Sequence, residues 1–297
     1  MITPKILKPN AKIGILSTAR VISFQEISNA IKWLEESDFQ AIIGDTIDAK
    51  YHQFAGDDIL RQKDLQSMLN NPNIDAIWCA RGGYGTARLL DKIDFSSFLL
   101  HPKWILGYSD ITALHWHLQY LGIASAHCTM PISLNTNTLE SVLSIKQFLL
   151  GEKIEYQWEN SIAYSSQMIE GELIGGNLSV IYSLLGSPSK VDTRGKILLL
   201  EDVDEYLYHI DRMILNLSRN GIFKDLKAII IGGFSQMHDN TIPFGKTACE
   251  IIMEHCSIFD IPIIFNAPFG HIEDNRLFPL GKKVKIELNN YKVLLSF

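Results

Sequence analysis

A chain of 297 residues that is 46% hydrophobic has enough apolar mass for two ordinary domains, and its net charge of −6, spread over scattered acids and bases, offers no field to a nucleic-acid backbone. No apolar run reaches the ~18 residues of a membrane helix, and the opening Met1-Ile2-Thr3-Pro4-Lys5 lacks the apolar core of a signal peptide. Four dispersed cysteines are too few for a disulfide framework, so the chain reads as cytoplasmic, with neither nucleic-acid nor membrane partners.

Residues 12–17 read as a strand. Ser23-Phe24-Gln25-Glu26 spells a capping box that opens a helix to about residue 37, with Ile27, Ala30, Ile31 and Leu34 as its buried stripe. A strand over 41–44 follows, then a helix over 57–69 with Leu60, Leu65 and Leu69 inward; Asn70-Asn71-Pro72-Asn73 breaks it before a strand over 74–80. The next strand, 104–108, ends at Ser109, where the pattern turns helical. Such alternation predicts βαβ units, and so an α/β fold whose parallel sheet carries helices on both faces. Residues 151–171 lose the rhythm and read as an irregular crossing. Beyond it come a helix to 185, a strand over 196–200, a helix over 210–219, a strand over 228–231, a helix over 246–256 and a strand over 261–265. Residues 284–288 and 293–296 read as a hairpin turned at Asn289-Asn290. Domains are therefore expected at 1–155 and 171–297, with 156–170 between them.

Chemistry is concentrated where predicted strands end. Gly107 permits a tight approach, and Ser109 at a strand-to-helix corner has its hydroxyl raised clear of the sheet, as a nucleophile is presented; Ser and Asp are also favoured N-caps, so this segment alone reads first as a cap. Arg81-Gly82-Gly83-Tyr84-Gly85 closes the strand over 74–80 with amides that can approach an anion, or is an ordinary βα turn. It lacks the third glycine of a dinucleotide loop. Glu201-Asp202-Val203-Asp204-Glu205 follows the strand over 196–200, either as a solvated loop or as a rigidly held acid that orients a histidine. His271, in a turn after the strand over 261–265, is a surface histidine or the base. Together these placements offer nucleophile, acid and base in the order Ser, Glu, His, with the amides of Asp110 and of Gly82 or Gly83 as oxyanion donors. His115 and His117, two residues apart, point to different sides of a helix, and no metal site is expected from them.

Five ordered blocks resemble the LD-carboxypeptidase family of serine peptidases, which includes murein tetrapeptide carboxypeptidases and microcin-immunity peptidases. They are Arg81-Gly82-Gly83-Tyr84-Gly85; Gly107-Tyr108-Ser109-Asp110 with Thr112-Ala113-Leu114; Gly175-Gly176-Asn177-Leu178-Ser179; Leu200-Glu201-Asp202 with Ile210-Asp211-Arg212-Met213; and Gly270-His271. The resemblance implies an N-terminal flavodoxin-like or Rossmann-like parallel-sheet domain and a C-terminal α/β domain of swivelling β/α/β type, assembled as a homodimer. It implies a catalytic triad of Ser109, Glu201 and His271, with Glu205 as rival acid, no metal, no cofactor, and a muropeptide substrate that loses its terminal D-Ala. Arg81, Tyr84 and Arg212 are the candidate substrate contacts. Where the family often carries His-Gly-Pro-Met, this chain has His127-Cys128-Thr129-Met130, and its first turn reads Ser17-Thr18-Ala19-Arg20 in place of a Ser/Pro-rich one. Two alternatives remain: a microcin-immunity-type peptidase cleaving an aminoacyl-nucleotide amide, and a non-catalytic flavodoxin-like module that binds a nucleotide or phosphate.

Overall fold

The computed structural model describes residues 1–297 as an α/β structure with two sheets. The first half of the chain runs β1 (Lys12–Leu16), α1 (Phe24–Glu36), β2 (Gln40–Ile43), α2 (Asp58–Asn70), β3 (Ala76–Cys79), α3 (Ser96–Leu100), β4 (Trp104–Gly107), α4 (Thr112–Tyr120), β5 (Ser125–His127) and α5 (Leu139–Leu149). The second half runs β6 (Glu155–Asn177), α6 (Leu178–Leu184), β7 (Ile197–Val203), α7 (Leu207–Arg219), β8 (Ala228–Ser235), α8 (Ala248–Cys256), β9 (Ile263–Ile264), β10 (Phe278–Leu280) and β11 (Lys283–Ser296). The first sheet has the order β10-β5-β4-β3-β1-β2 and is parallel except for its antiparallel edge β10; the second has the order β11-β6-β7-β8-β9, with β11 antiparallel. Strands β3 and β4 are buried along their whole length, as strands covered on both faces must be.

Local chemistry explains the boundaries. The capping box of α1 is complete: the Ser23 hydroxyl accepts from the Glu26 amide and the Glu26 carboxylate accepts from the Ser23 amide at 2.8 Å, while Ile27, Ala30 and Leu34 are buried. In α2 the buried face is not the one expected. Leu65 and Leu69 are inside, Leu60 is only half-buried, and Arg61 and Asp64 are buried with them. Charged side chains enter that face because they bond there: Arg61 to the Thr18 and Gly85 carbonyls, and Asp64 to the Thr46 hydroxyl and amide.

Two expectations from the second half are corrected. Residues 156–170 are not an irregular crossing but the first part of β6, which forms a long two-stranded ribbon with β11 before entering the second sheet. Much of that ribbon faces water, so its sequence carries no strong alternation. Residues 284–288 and 293–296 are not a hairpin. They belong to one strand, β11, paired to β6 throughout; the register shifts on either side of Asn290, where the extra residues lie on β6 and β11 runs on with no turn. The expected split at 155 and 171 is also crossed, because β10 from the far end of the chain pairs with β5 in the first sheet. Two apolar cores each reach into both sheets, and one of them joins Ile111 and Leu114 to Leu178, Ile181 and Leu200. The corner after β4, the end of β7 and the turn that follows β9 thus meet in one place.

Candidate active site

Strand β4 ends at Gly107, and the chain turns through Ser109 into a short 3-10 turn, Ser109–Ile111, that leads straight into α4. Ser109 has φ 62°, a left-handed backbone that an L-residue adopts only when its surroundings impose it. Its hydroxyl caps nothing; Oγ lies 3.1 Å from Nε2 of His271. The capping alternative therefore fails, and the strained corner presents the hydroxyl to an imidazole. His115, one turn into α4, is fully buried and bonds the Gly107 carbonyl at 2.9 Å, which ties the helix to the strand end.

The imidazole of His271 lies between two elements. On the side away from the serine, Nδ1 is 2.6 Å from Oε2 of Glu201, a fully buried carboxylate. Glu201 lies within β7, which continues to Val203, opposite an extra residue that β8 carries between Ile231 and Phe234, so it is not the residue after the strand's end. The acidic run is no loop at this point: Asp202 is buried too, accepting from Asn177 Nδ2, the Ser179 amide and the Val203 amide. Glu205 goes elsewhere, with Oε2 2.6 Å from His209 Nδ1. Of the two rival acids, only Glu201 meets His271.

Electrostatics follow from this packing. Burial pushes the Glu201 carboxyl up, but the His271 imidazole, assisted by His127, outweighs it and holds the group well below the usual carboxylate range. Burial pushes His271 down, and the Glu201 charge and hydrogen bond more than reverse that, so its pKa lies above the ordinary histidine value. An ionised Glu201 takes the Nδ1 proton as its hydrogen bond, which leaves the Nε2 lone pair to accept from the Ser109 hydroxyl.

The glycine turn packs directly on the serine. A Cβ on Gly82 would stand 2.9 Å from Ser109 Cβ, 3.0 Å from its Oγ and 3.4 Å from the Asp110 amide nitrogen. The Gly82, Gly83 and Asp110 amides donate to no protein acceptor. The turn is held from below by side chains that composition and periodicity do not reveal: Asp110 Oδ2 accepts from the Thr86 amide at 2.8 Å, and Arg61 reaches the Gly85 carbonyl at 3.1 Å while stacked 4.6 Å over Phe54. Gly82→Ala is expected to fold but to lose most of its activity, because the added methyl takes the space of the attacking oxygen. Reaction of Ser109 with a fluorophosphonate probe measures this, and labelling at the wild-type rate would contradict the packing.

The expected substrate contacts are less uniform. Tyr84 is exposed on the turn, with its ring 6.2 Å from Phe54. Arg81 is turned toward α1, bonding the Val21 carbonyl at 3.2 Å with Glu26 at 3.7 Å. Arg212 lies on α7 over the Tyr208 ring at 5.2 Å. The cation missed in the sequence is Arg20, whose exposed side chain crosses Gly83 so closely that a Cβ there would lie 2.1 Å from its Cδ. In the sequence it stands in the turn Ser17-Thr18-Ala19-Arg20, which departs from the family's pattern but does not tell that its last residue reaches Gly83.

A model of the LD-carboxypeptidase N-terminal domain matches residues 13–128, and one of the C-terminal domain matches residues 170–286. The chain belongs to the LD-carboxypeptidase family. It is 32% identical to the "Probable murein peptide carboxypeptidase" of Bacillus subtilis, over 94% of this chain and 90% of that one. It is 27% identical to the murein tetrapeptide carboxypeptidase of Pseudomonas aeruginosa, with 95% of each covered. Among solved structures, the muramoyltetrapeptide carboxypeptidase of Oxalobacter formigenes superposes with a TM-score of 0.88 at 26% identity, covering 96% of this chain and 98% of that one. The microcin C7 self immunity protein MccF superposes with a TM-score of 0.89 at 21% identity, covering 100% of this chain and 99% of that one, and so shares the fold. The family is one of hydrolases, and a Ser-His-Glu constellation lies where its two domain models meet in space.

Proposed function

We propose that this protein is a serine LD-carboxypeptidase that releases the terminal D-Ala from murein tetrapeptide. The observation that carries the reading is the continuous line of Ser109, His271 and Glu201, at 3.1 and 2.6 Å, within a chain related over nearly its full length to murein peptide carboxypeptidases. In this reading Ser109 Oγ attacks the carbonyl carbon as its proton passes to His271 Nε2. The C–N bond then breaks, the departing D-Ala amine takes that proton, and an ester to Ser109 remains. A water, losing its proton to His271, opens the ester and returns the hydroxyl to Ser109. Amides of Asp110 and of Gly82 or Gly83 hold the oxyanion, each worth about 3 kcal/mol in comparable sites. Arg20 packs on Gly83 and Tyr84 stands exposed on the same turn, so these two are the candidates for substrate contact, whereas Arg81 and Arg212 are engaged elsewhere.

Four unpaired cysteines suit a reducing compartment, and no helix is long and apolar enough to cross a membrane. We place the enzyme in the cytoplasm, acting as a homodimer on recycled peptidoglycan fragments. Mass spectrometry of products from a panel of muropeptides tests the substrate: tetrapeptide should lose one D-Ala, and tripeptide should be untouched. Cleavage of an aminoacyl-nucleotide amide in place of the tetrapeptide would move the chain to the microcin-immunity reading. Tight nucleotide binding with a Ser109 inert to fluorophosphonate would favour the binding module.

A further inference from the structure

Glu201 is satisfied on one side only. Oε2 bonds His271, while Oε1, equally buried, has no hydrogen-bond partner in the protein. Facing it is His127, the last residue of β5, also fully buried and with both ring nitrogens unpartnered. The two orphaned groups point at each other, Nε2 to Oε1, across 3.9 Å, which is about 1 Å beyond a hydrogen bond. Buried polar atoms are rarely left unpaired, and catalytic hydrogen bonds are often long in unliganded enzymes and tighten when substrate binds.

The placement of the His127 ring ties it to every arm of the site. Its strand pairs with β4 through Gly107, two residues before Ser109. The ring lies 5.6 Å from Tyr108, which precedes Ser109, and 5.4 Å edge-on from Phe269, two residues before His271. Tyr108 in turn stands 4.9 Å from the His271 ring. Few groups near His127 can carry charge: Glu201 from β7, the Tyr108 phenol, and His115 from α4, which burial keeps neutral with its pKa pushed down to about 3. Asp202 has its carboxylate turned away onto Asn177 and Ser179.

We propose that His127 is a positioning residue, whose Nε2–H donates to Oε1 of Glu201 so that each oxygen of the buried carboxylate is held by one imidazole. Resting on the hydrolase reading above, it gives the acid a fixed plane and so sets the direction of the His271 ring. It also makes the lone carboxylate less costly once His271 has given up its proton, which is the state that attacks. Without that donor, removing the proton from the His271–Glu201 pair becomes harder. The acid limb of the rate profile must then move to higher pH.

The test compares His127→Phe, which removes the donor but keeps a ring, with His127→Gln, whose amide can put a donor near the Nε2 position. In kcat/KM for D-Ala release, His127→Phe should raise the apparent pKa of the acid limb by roughly one unit, which lowers the rate about tenfold on the acid side of that limb and leaves the high-pH plateau in place. His127→Gln should restore the wild-type limb. An unmoved limb in His127→Phe, or an equal shift in both variants, would overturn the assignment. Should His127→Phe not fold, nitrogen-15 NMR of the wild-type histidines decides: a proton on Nε2 of His127 whose signal moves as His271 titrates is expected, and an Nδ1–H tautomer refutes it. If the wild type releases no D-Ala, the substrate reading fails by itself, and the pH dependence of fluorophosphonate labelling of Ser109 still settles the role of His127.

Discussion

Ser109→Ala should lose D-Ala release by about 10^4-fold or more, the loss seen when a hydrolytic triad is deprived of its nucleophile. The fold should persist, because the hydroxyl supports no cap and its one partner is His271 Nε2, on a side chain that water still reaches. Stability gives a second, independent readout. Ser109 holds φ 62°, a region that costs a non-glycine residue of order 1–3 kcal/mol. Alanine keeps that strain, so its melting temperature should match the wild type. Ser109→Gly relieves it and should melt higher while being equally inactive. Activity surviving in either variant, measured as D-Ala released from tetrapeptide, would remove Ser109 from the mechanism. A glycine variant less stable than wild type would mean that the corner is not strained.

The same corner shows what a sequence can disclose. The βαβ rhythm, the α1 capping box and the strand ends at Ser109 and His271 all follow from local rules of period, cap and turn, and local rules are written in neighbouring residues. What escaped was non-local. The face of α2 was misjudged because Arg61 and Asp64 are buried by partners more than a dozen residues away, at Thr18, Gly85 and Thr46. β6 and β11 escaped because a solvent-facing ribbon needs no apolar alternation, and their pairing spans over a hundred residues. Glu201 could be separated from Glu205 only in space, since both follow the same apolar run and each finds a histidine. His127 stood out only as the start of a segment that departs from the family pattern, with no sign of a role: its meaning lies in the unpaired atom it faces, and that atom comes from another sheet.

Glu201→Gln should lower kcat by about 10^4-fold, because an amide that turns its NH2 toward Nδ1 favours the tautomer with the proton on Nε2. Nε2 then donates to Ser109 when it should accept. The pH profile identifies the cause. His271 lies above the ordinary histidine value through the Glu201 charge, against a burial that pulls it down. The base works only when unprotonated, so loss of that charge lowers its pKa and moves the acid limb of the residual activity to lower pH. His127→Phe moves the same limb the opposite way, since it leaves the charge in place and removes only its second donor. Glu205→Gln is the control: its carboxylate faces His209 and should leave both rate and limb near wild type. Residual activity within tenfold of wild type in Glu201→Gln, or a collapse in Glu205→Gln, would transfer the acid's role to the rival. Opposite shifts from Glu201→Gln and His127→Phe, with Glu205→Gln silent, require one buried carboxylate held between two imidazoles.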